Sequence, residues 1–211
     1  MVIIVAIRHL HDEGVIHRDL HSGNILYKKY TNSWYISDFG FCGPADMPLQ
    51  SIYGNLPYIA PEVISDKRNT RASDIYSIGM LMWEISSGQP PFAGIDHDFN
   101  LAMKIINGIR PKIVSRTPLG IKELIEQCWD ADPSKRPNIG TLDKKVAEIR
   151  KSYYQNENEE NLANNDDRYL NVKSNTSSSS SSIYQSSRSI NSELQSNLKE
   201  IRSYSIEGMM Y

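Results

Sequence analysis

The second half of the chain is patterned for helices. Between Ile75 and Ile85, apolar side chains fall on nearly every face of a helix. A helix that is apolar all round is typical of a buried position. The segment therefore predicts a central buried helix, which ends before the turn residues of Ser87–Pro91.

Three more helices are predicted after this one. Leu101–Ile109 has apolar residues at helical intervals. Thr117–Pro118 is a start signal, with threonine as the cap and proline at the first helical position. Apolar residues then recur at i, i+3, i+4, i+7 and i+8 from Ile121 to Trp129, and Cys128 lies in this stripe, which favours a core role over a catalytic one. A last helix is predicted from about Thr141 to Tyr153.

Strand patterning is confined to a short segment nearer the N-terminus. Asn24–Tyr27 and Trp34–Ser37 are rich in β-branched and aromatic residues, and the polar stretch Lys28–Ser33 between them favours a turn. These segments predict one hairpin. The apolar stretch Val2–Leu10 predicts a helix that leads into it, so the expected fold is mainly α.

The composition changes near residue 154. Asn156–Asp167 is rich in asparagine and acidic residues, and Ser177–Ser182 is an unbroken serine run. A segment with so few apolar residues cannot offset the entropy of ordering. We therefore expect a folded domain over residues 1–153 and a disordered tail over residues 154–211.

Charge and cysteine content narrow the function classes. The formal net charge of −2 gives no sign of a nucleic-acid or membrane partner. The apolar N-terminal stretch is too short for a transmembrane span and lacks the features of a signal peptide. Two cysteines make no disulfide framework, which favours a cytoplasmic protein.

Two short loops carry the candidate chemistry. Asp19 and Asn24 lie in the first loop, and Asp38 and Gly40 lie in the second. A hairpin centred near Thr31 would place Asn24 opposite Asp38, at roughly 4.5–5.5 Å between Cα atoms. Amide and carboxylate oxygens suit Mg²⁺, which takes one or two protein ligands together with phosphates and waters. Asp19 would face the same point, and Gly40 would let the backbone turn sharply.

Five motifs together resemble a known family. They are His17–Asn24 (H-R-D-L-H-S-G-N), Asp38–Gly40 (D-F-G), Ala60–Glu62 (A-P-E), Asp74–Gly79, and the C-W…R-P pattern of Cys128–Pro137. In this order and spacing they resemble the C-terminal lobe of a eukaryotic protein kinase, of the tyrosine-kinase-like or serine/threonine type. The resemblance covers roughly residues 1 to 150.

The resemblance implies a role for each matching residue at the site. Asp19 matches the aspartate that orients the substrate hydroxyl and accepts its proton. Asn24 and Asp38 match the two Mg²⁺ ligands, and Leu26 matches the leucine under the adenine of ATP. The implied cofactors are ATP and Mg²⁺, and the implied partner is a protein substrate.

The resemblance also implies a regulatory arginine. Arg18 matches the arginine that binds a phosphorylated activation segment, a task suited to its bidentate guanidinium. Ser51 and Tyr53 are candidate phosphosites in that segment, and an ordinary loop role for them is equally supported.

The remaining matches imply structural roles. His17 and Phe39 match packing residues, and Asp74 opens the buried central helix. Glu62 and Arg136 match the partners of a buried ion pair.

Two departures leave the acceptor residue open. Serine/threonine kinases usually have lysine two residues after the catalytic aspartate, where this chain has His21, and tyrosine kinases usually have alanine and arginine in this stretch. Before Ala60, the usual G-T-x-x-Y is replaced by Gly54–Tyr58, with Asn55 in place of the hydroxyl residue. The Tyr58–Ala60 run still favours serine/threonine.

No G-x-G-x-x-G and no V-A-I-K-like run occurs in the chain, and 18 residues precede Asp19. Both features belong to the small N-terminal lobe of a protein kinase. We therefore expect a truncated product or an incomplete gene model, which alone binds nucleotide poorly and exposes apolar surface.

Two functions remain: a protein kinase of which this is the catalytic half, and a non-catalytic kinase-like binding module. A small-molecule phosphotransferase is a distant third, because Ala60–Glu62 and Cys128–Pro137 argue against it.

Overall fold

The computed structural model describes residues 2–44, 55–66 and 68–155. Six α-helices account for about half of these residues: α1 (Val2–Asp12), α2 (Pro61–Asp66), α3 (Arg71–Ser87), α4 (Phe99–Ile106), α5 (Leu119–Cys128) and α6 (139–155). The mainly helical class predicted from the sequence is confirmed. The expected disordered tail lies outside the described residues, apart from its first two positions, which belong to α6.

The described strands form two antiparallel pairs. Strand β1 (Val15–Ile16) pairs with β4 (Gly43–Pro44), and β2 (Ile25–Lys28) pairs with β3 (Ser33–Ile36). Both candidate loops, with Asp19 in the first and Asp38 in the second, lie between the two strands of the first pair. The second pair is the predicted hairpin.

The register of the hairpin differs from the prediction. Ile25 pairs with Ile36, so Asn24 lies opposite Ser37, whose amide N–H donates to the Asn24 carbonyl at 2.9 Å. The predicted pairing of Asn24 with Asp38 was wrong by one residue. The reason is the turn, which has four residues and ends in a left-handed Asn32 (φ 48°), so the hairpin is centred before Thr31.

Helix α3 is the buried centre of the fold. It starts with a capping box, in which Thr70 and Ser73 bond each other's backbone N–H groups, and it ends at the left-handed Gly88 (φ 74°). The helix starts three residues before Asp74, the predicted start, and its last residue, Ser87, lies one residue beyond the predicted end. Burial on every face agrees with the prediction. The cap satisfies N–H groups that a helix terminus leaves without intrahelical partners.

Helix α5 packs closely across α3. Its inward residues Leu124, Ile125 and Cys128 are fully or almost fully buried, as the stripe predicted. A Cβ atom on Gly79 would lie 2.7 Å from the Cβ of Cys128, so the contact requires glycine on α3. Helix α6 completes the core with Leu142 and Val146.

Helices α4 and α5 also differ from the prediction in their bounds. The first residue of α5 is Leu119, and the Thr117 hydroxyl is buried with no hydrogen-bond partner among the described residues, so it does not act as the cap. Proline at 118 takes the cap position instead. Helix α4 starts at an Asp98 cap and ends at Ile106, earlier than predicted.

Candidate active site

The backbone of the first loop is held by a carboxylate from α3. Asp74 is 1% exposed and accepts hydrogen bonds from the N–H groups of His17 (2.8 Å) and Arg18 (3.0 Å), and from the His11 ring of α1 (2.9 Å). Arg18 has a φ of 72°, a left-handed conformation that is strained for a non-glycine residue. The bonds to Asp74 hold the backbone in this conformation.

The contacts of His17 are those of a packing residue. Its ring is fully buried, lies 5.5 Å from the ring of Phe39, and accepts the N–H of Asp19 at 3.4 Å through Nδ1. Burial lowers the pKa of His17, although the nearby carboxylates of Asp74, Asp19 and Asp38 act in the opposite direction. The ring is therefore neutral at pH 7. Each of the three carboxylates favours protonation of the imidazole, and the effect of burial outweighs them.

Asp19 and Asn24 form a direct pair. The Nδ2 atom of Asn24 donates to the Asp19 carbonyl at 2.8 Å and to Asp19 Oδ2 at 3.3 Å. Both side chains are buried. Because the amide nitrogen is turned towards Asp19, the amide oxygen of Asn24 remains as the atom that can accept a cation.

Asp38 lies just beyond the end of β3. Its φ of 61° takes the chain out of the strand conformation, and its Oδ1 accepts the N–H of Gly40 at 3.3 Å. A Cβ atom on Gly40 would lie 3.2 Å from that Oδ1, so glycine allows this close turn. Asp38 is exposed and Asn24 is buried.

Several large apolar and aromatic side chains are exposed on the hairpin strands and just after them. Leu26 is 51% exposed, and Tyr27, Tyr35 and Phe39 are exposed to a similar degree. Leu26, the predicted adenine contact, is among these exposed side chains. Phe39, predicted to pack, contacts His17 on one side and solvent on the other.

The side chain of Arg18 spans from the first loop to β4. Its Nη2 donates to the Pro44 carbonyl at 2.6 Å. A Cβ atom on Gly43 would lie 3.1 Å from Arg18 Nη1, so the strand approaches the guanidinium closely. The predicted phosphosites Ser51 and Tyr53 lie outside the described residues.

Glu62 and Arg136 form the expected ion pair. The guanidinium binds both carboxylate oxygens, at 2.7 and 2.8 Å, and donates to the carbonyls of Ala72 and Asp130. The Arg136 side chain is fully buried. The pair therefore connects α2 to the N-terminus of α3 and to the segment before α6.

The sequence analysis missed a group of hydrogen-bonded side chains near the site, formed by Ser22, Tyr58 and Glu84. The Tyr58 hydroxyl donates to Glu84 at 2.7 Å and lies 3.2 Å from the Ser22 hydroxyl. Burial raises the pKa of Tyr58 above its ordinary value, so the phenol stays protonated. His11 was also missed as a partner of Asp74. No local pattern signals these contacts, since they join residues 26 to 63 positions apart.

Comparison with known proteins identifies the class. The protein kinase domain matches residues 1–155, so the chain belongs to the protein kinase family, a family of phosphotransferases.

The dual serine/threonine and tyrosine protein kinase of Canis lupus familiaris is 37% identical over 150 residues, which cover 66% of this chain and 15% of that protein. Mitogen-activated protein kinase kinase kinase 7 of Drosophila melanogaster is 32% identical over 139 residues, with 66% and 20% covered. The matched region is thus a fifth or less of these relatives. Among the described helices, none has both the length and the apolar character needed to cross a bilayer.

Proposed function

We propose that this chain supplies the hydroxyl-orienting and metal-binding side of an ATP-dependent protein kinase. The observation that carries the proposal is the Asp19–Asn24 pair, buried together on a loop whose backbone is bonded to Asp74. A carboxylate held this way is preorganised, which is how active-site groups lower a barrier without reorganising during the reaction.

Asp19 is the proposed catalytic residue. It orients the hydroxyl of a protein substrate and takes its proton as the oxygen bonds to the γ-phosphorus of ATP, and ADP leaves with the electrons of the broken bond. An ordinary carboxylate is a weak base, so orientation is its larger contribution. Asn24 supports this by fixing Oδ2 of Asp19.

Asn24 and Asp38 fit a Mg²⁺ site in their donor chemistry. One presents an amide oxygen and the other a carboxylate, which are the hard ligands that Mg²⁺ prefers alongside phosphates and waters. Bound there, the ion would neutralise phosphate charge. Gly40 keeps the Asp38 carboxylate in its turn, and Leu26 offers apolar surface to an adenine.

Serine and threonine are the proposed acceptors, with tyrosine less favoured. Tyr58 and Ala60 keep the pattern that serine/threonine kinases have before A-P-E. The relative from Canis lupus familiaris is named for serine/threonine and for tyrosine, so tyrosine is kept as the less favoured acceptor. We propose that the activity belongs to a protein in which this chain is joined to a glycine-rich loop and a strand lysine.

The test is a phosphorylation assay on the product of the complete gene, with serine, threonine and tyrosine peptides. Asp38→Asn should lower ATP-dependent phosphorylation by about a hundredfold or more, since it removes a proposed metal ligand. Asp96→Asn, an exposed aspartate outside the site, is the matched control and should leave the rate unchanged.

The alternative is a non-catalytic binding module, and the departures at His21 and Asn55 are the features that favour it. If the unaltered protein and Asp38→Asn are equally inert, the kinase proposal fails and the binding module is preferred. If tyrosine peptides are phosphorylated faster than serine and threonine peptides, the acceptor assignment is wrong.

A further inference from the structure

An imidazole stands beside the candidate catalytic carboxylate. The Nε2 atom of His21 lies 3.6 Å from Oδ2 of Asp19, and the His21 side chain is 20% exposed. The ring of Tyr58 lies on another side, with its centroid 6.0 Å from that of the imidazole. The ring is thus confined between the loop and the segment before α2.

A backbone hydrogen bond determines which nitrogen carries the hydrogen. The N–H of Gly23 donates to Nδ1 of His21 at 3.1 Å. An accepting nitrogen cannot carry a hydrogen, so the neutral ring has its hydrogen on Nε2. This is the nitrogen nearest Asp19.

Gly23 is independently required by the position of the ring. A Cβ atom at residue 23 would lie 2.9 Å from both Nδ1 and Cε1 of His21. Contacts that short force something to move, and the ring is the part that can. Glycine at this position is therefore what allows the imidazole to lie where it does.

The Asn24 amide nitrogen and the His21 Nε2 atom both lie near the same oxygen of the Asp19 carboxylate, Oδ2. Oδ2 accepts from Asn24 Nδ2 at 3.3 Å and lies 3.6 Å from His21 Nε2. Within residues 2–44, 55–66 and 68–155, no hydrogen-bond donor contacts Oδ1. The second distance is too long for a hydrogen bond in the free protein, and such contacts tighten in many enzymes when substrate binds.

We propose that His21 is a positioning residue: in its neutral Nε2–H form, fixed by Gly23, it holds Oδ2 of Asp19 and leaves Oδ1 for the substrate hydroxyl. The inference rests on the proposed function. His21 would thus be a neutral hydrogen-bond donor at the position where many serine/threonine kinases have lysine.

The first test does not depend on activity. Nitrogen-15 NMR of the histidine rings, with the His21 signals assigned by their loss in His21→Phe, reports which nitrogen is protonated near neutral pH. The expected result is a protonated Nε2 and an accepting Nδ1. Gly23→Ala should shift the Nδ1 signal, since it displaces the ring. A ring protonated on Nδ1 overturns the proposal.

The second test is a kinetic double-mutant cycle in the product of the complete gene. His21→Phe and Gly23→Ala should each lower kcat by about tenfold, the effect of losing a hydrogen bond to a charged group, with KM for ATP unchanged. Because Gly23 acts through His21, the double variant should be no slower than His21→Phe alone. His21→Gln keeps a neutral N–H donor and should recover much of the rate.

The exposed His97 provides the control, and His97→Phe should leave kcat unchanged. If Gly23→Ala slows the His21→Phe protein as much as it slows the unaltered one, the positioning role is refuted. If the unaltered protein has no activity at all, the kinase proposal fails, and with it the role of His21 in catalysis, while the NMR experiment still decides the tautomer.

Discussion

Around α3, apolar side chains are buried on every face of a regular helix, and close contact with α5 depends on the bare backbone of Gly79. In the segment from His17 to Gly40, three non-glycine residues have a positive φ, namely Arg18, Asn32 and Asp38. The same segment has a buried aspartate and a buried asparagine, and apolar side chains that are open to solvent. The core is stabilised mainly by burial. The site is stabilised by hydrogen bonds to a few fixed groups, above all to Asp74.

This difference means that a substitution should affect stability in one region and chemistry in the other. The stability lost when a buried apolar side chain is shortened scales with the apolar area that it had removed from water. Strained or polar sites persist only where the surrounding structure enforces them.

The largest stability effect is expected where the two kinds of interaction meet, at Arg136. Arg136→Met removes the bonds to Glu62 and to two carbonyls and leaves the Glu62 carboxylate without its cation, which should cost about 3–5 kcal/mol. Urea unfolding measures this. Lys135→Met, at an exposed neighbouring position, should cost no more than about 0.5 kcal/mol.

Adding Glu62→Leu to Arg136→Met should restore part of the loss, because it removes the remaining buried charge. A double variant no more stable than the single one would contradict the explanation that an unpaired buried carboxylate causes the loss.

A matched pair of leucines tests the comparison next. Leu124→Ala should destabilise the protein by about 2–5 kcal/mol, since the residue is 2% exposed in the core. Leu26→Ala should change stability by about 0.5 kcal/mol or less, because the side chain is half exposed on the hairpin. Similar losses in unfolding experiments would mean that the hairpin surface is covered in solution.

The smallest expected difference is in the reactivity of the two cysteine thiols, Cys42 and Cys128. Burial raises the pKa of Cys42 to about 11 and that of Cys128 to about 12, so both thiols stay protonated at neutral pH. Alkylation by iodoacetamide should therefore be slow at both, and slower at the deeper Cys128.

The raised thiol pKa values also determine how the stability of the fold changes with pH. A raised pKa in the folded state leaves stability intact below the ordinary thiol value of 9.0 and reduces it as pH rises from 9.0 towards about 12. Cys128→Ala should flatten that decline. Alkylation of Cys128 as fast as that of Cys42 would contradict the depth assigned to it.

The sequence predicted the core better than the site geometry. The stripe on α5 and the all-round apolar pattern of α3 follow from helical periodicity, which is a local property. The hairpin strands were also predictable. Their register was not, because one left-handed residue, Asn32, sets the length of the turn.

The site residues were found through motifs, and their arrangement depends on distant partners. The positive φ of Arg18 is maintained by Asp74, and no local propensity predicts it. Likewise Tyr58, Glu84 and His11 act through contacts made only in the folded chain. The roles assigned to Asp19, Asn24 and Asp38 remain predictions.

The bonds to Asp74 also bear on the order of folding. They join α3 to amides 56 and 57 positions earlier in the chain, so a long loop must close before they can form. Loop closure costs entropy that local helices do not incur. The helices can therefore form while the first loop is still unformed, and the geometry around Asp19 is completed only when α1, the first loop and α3 have docked.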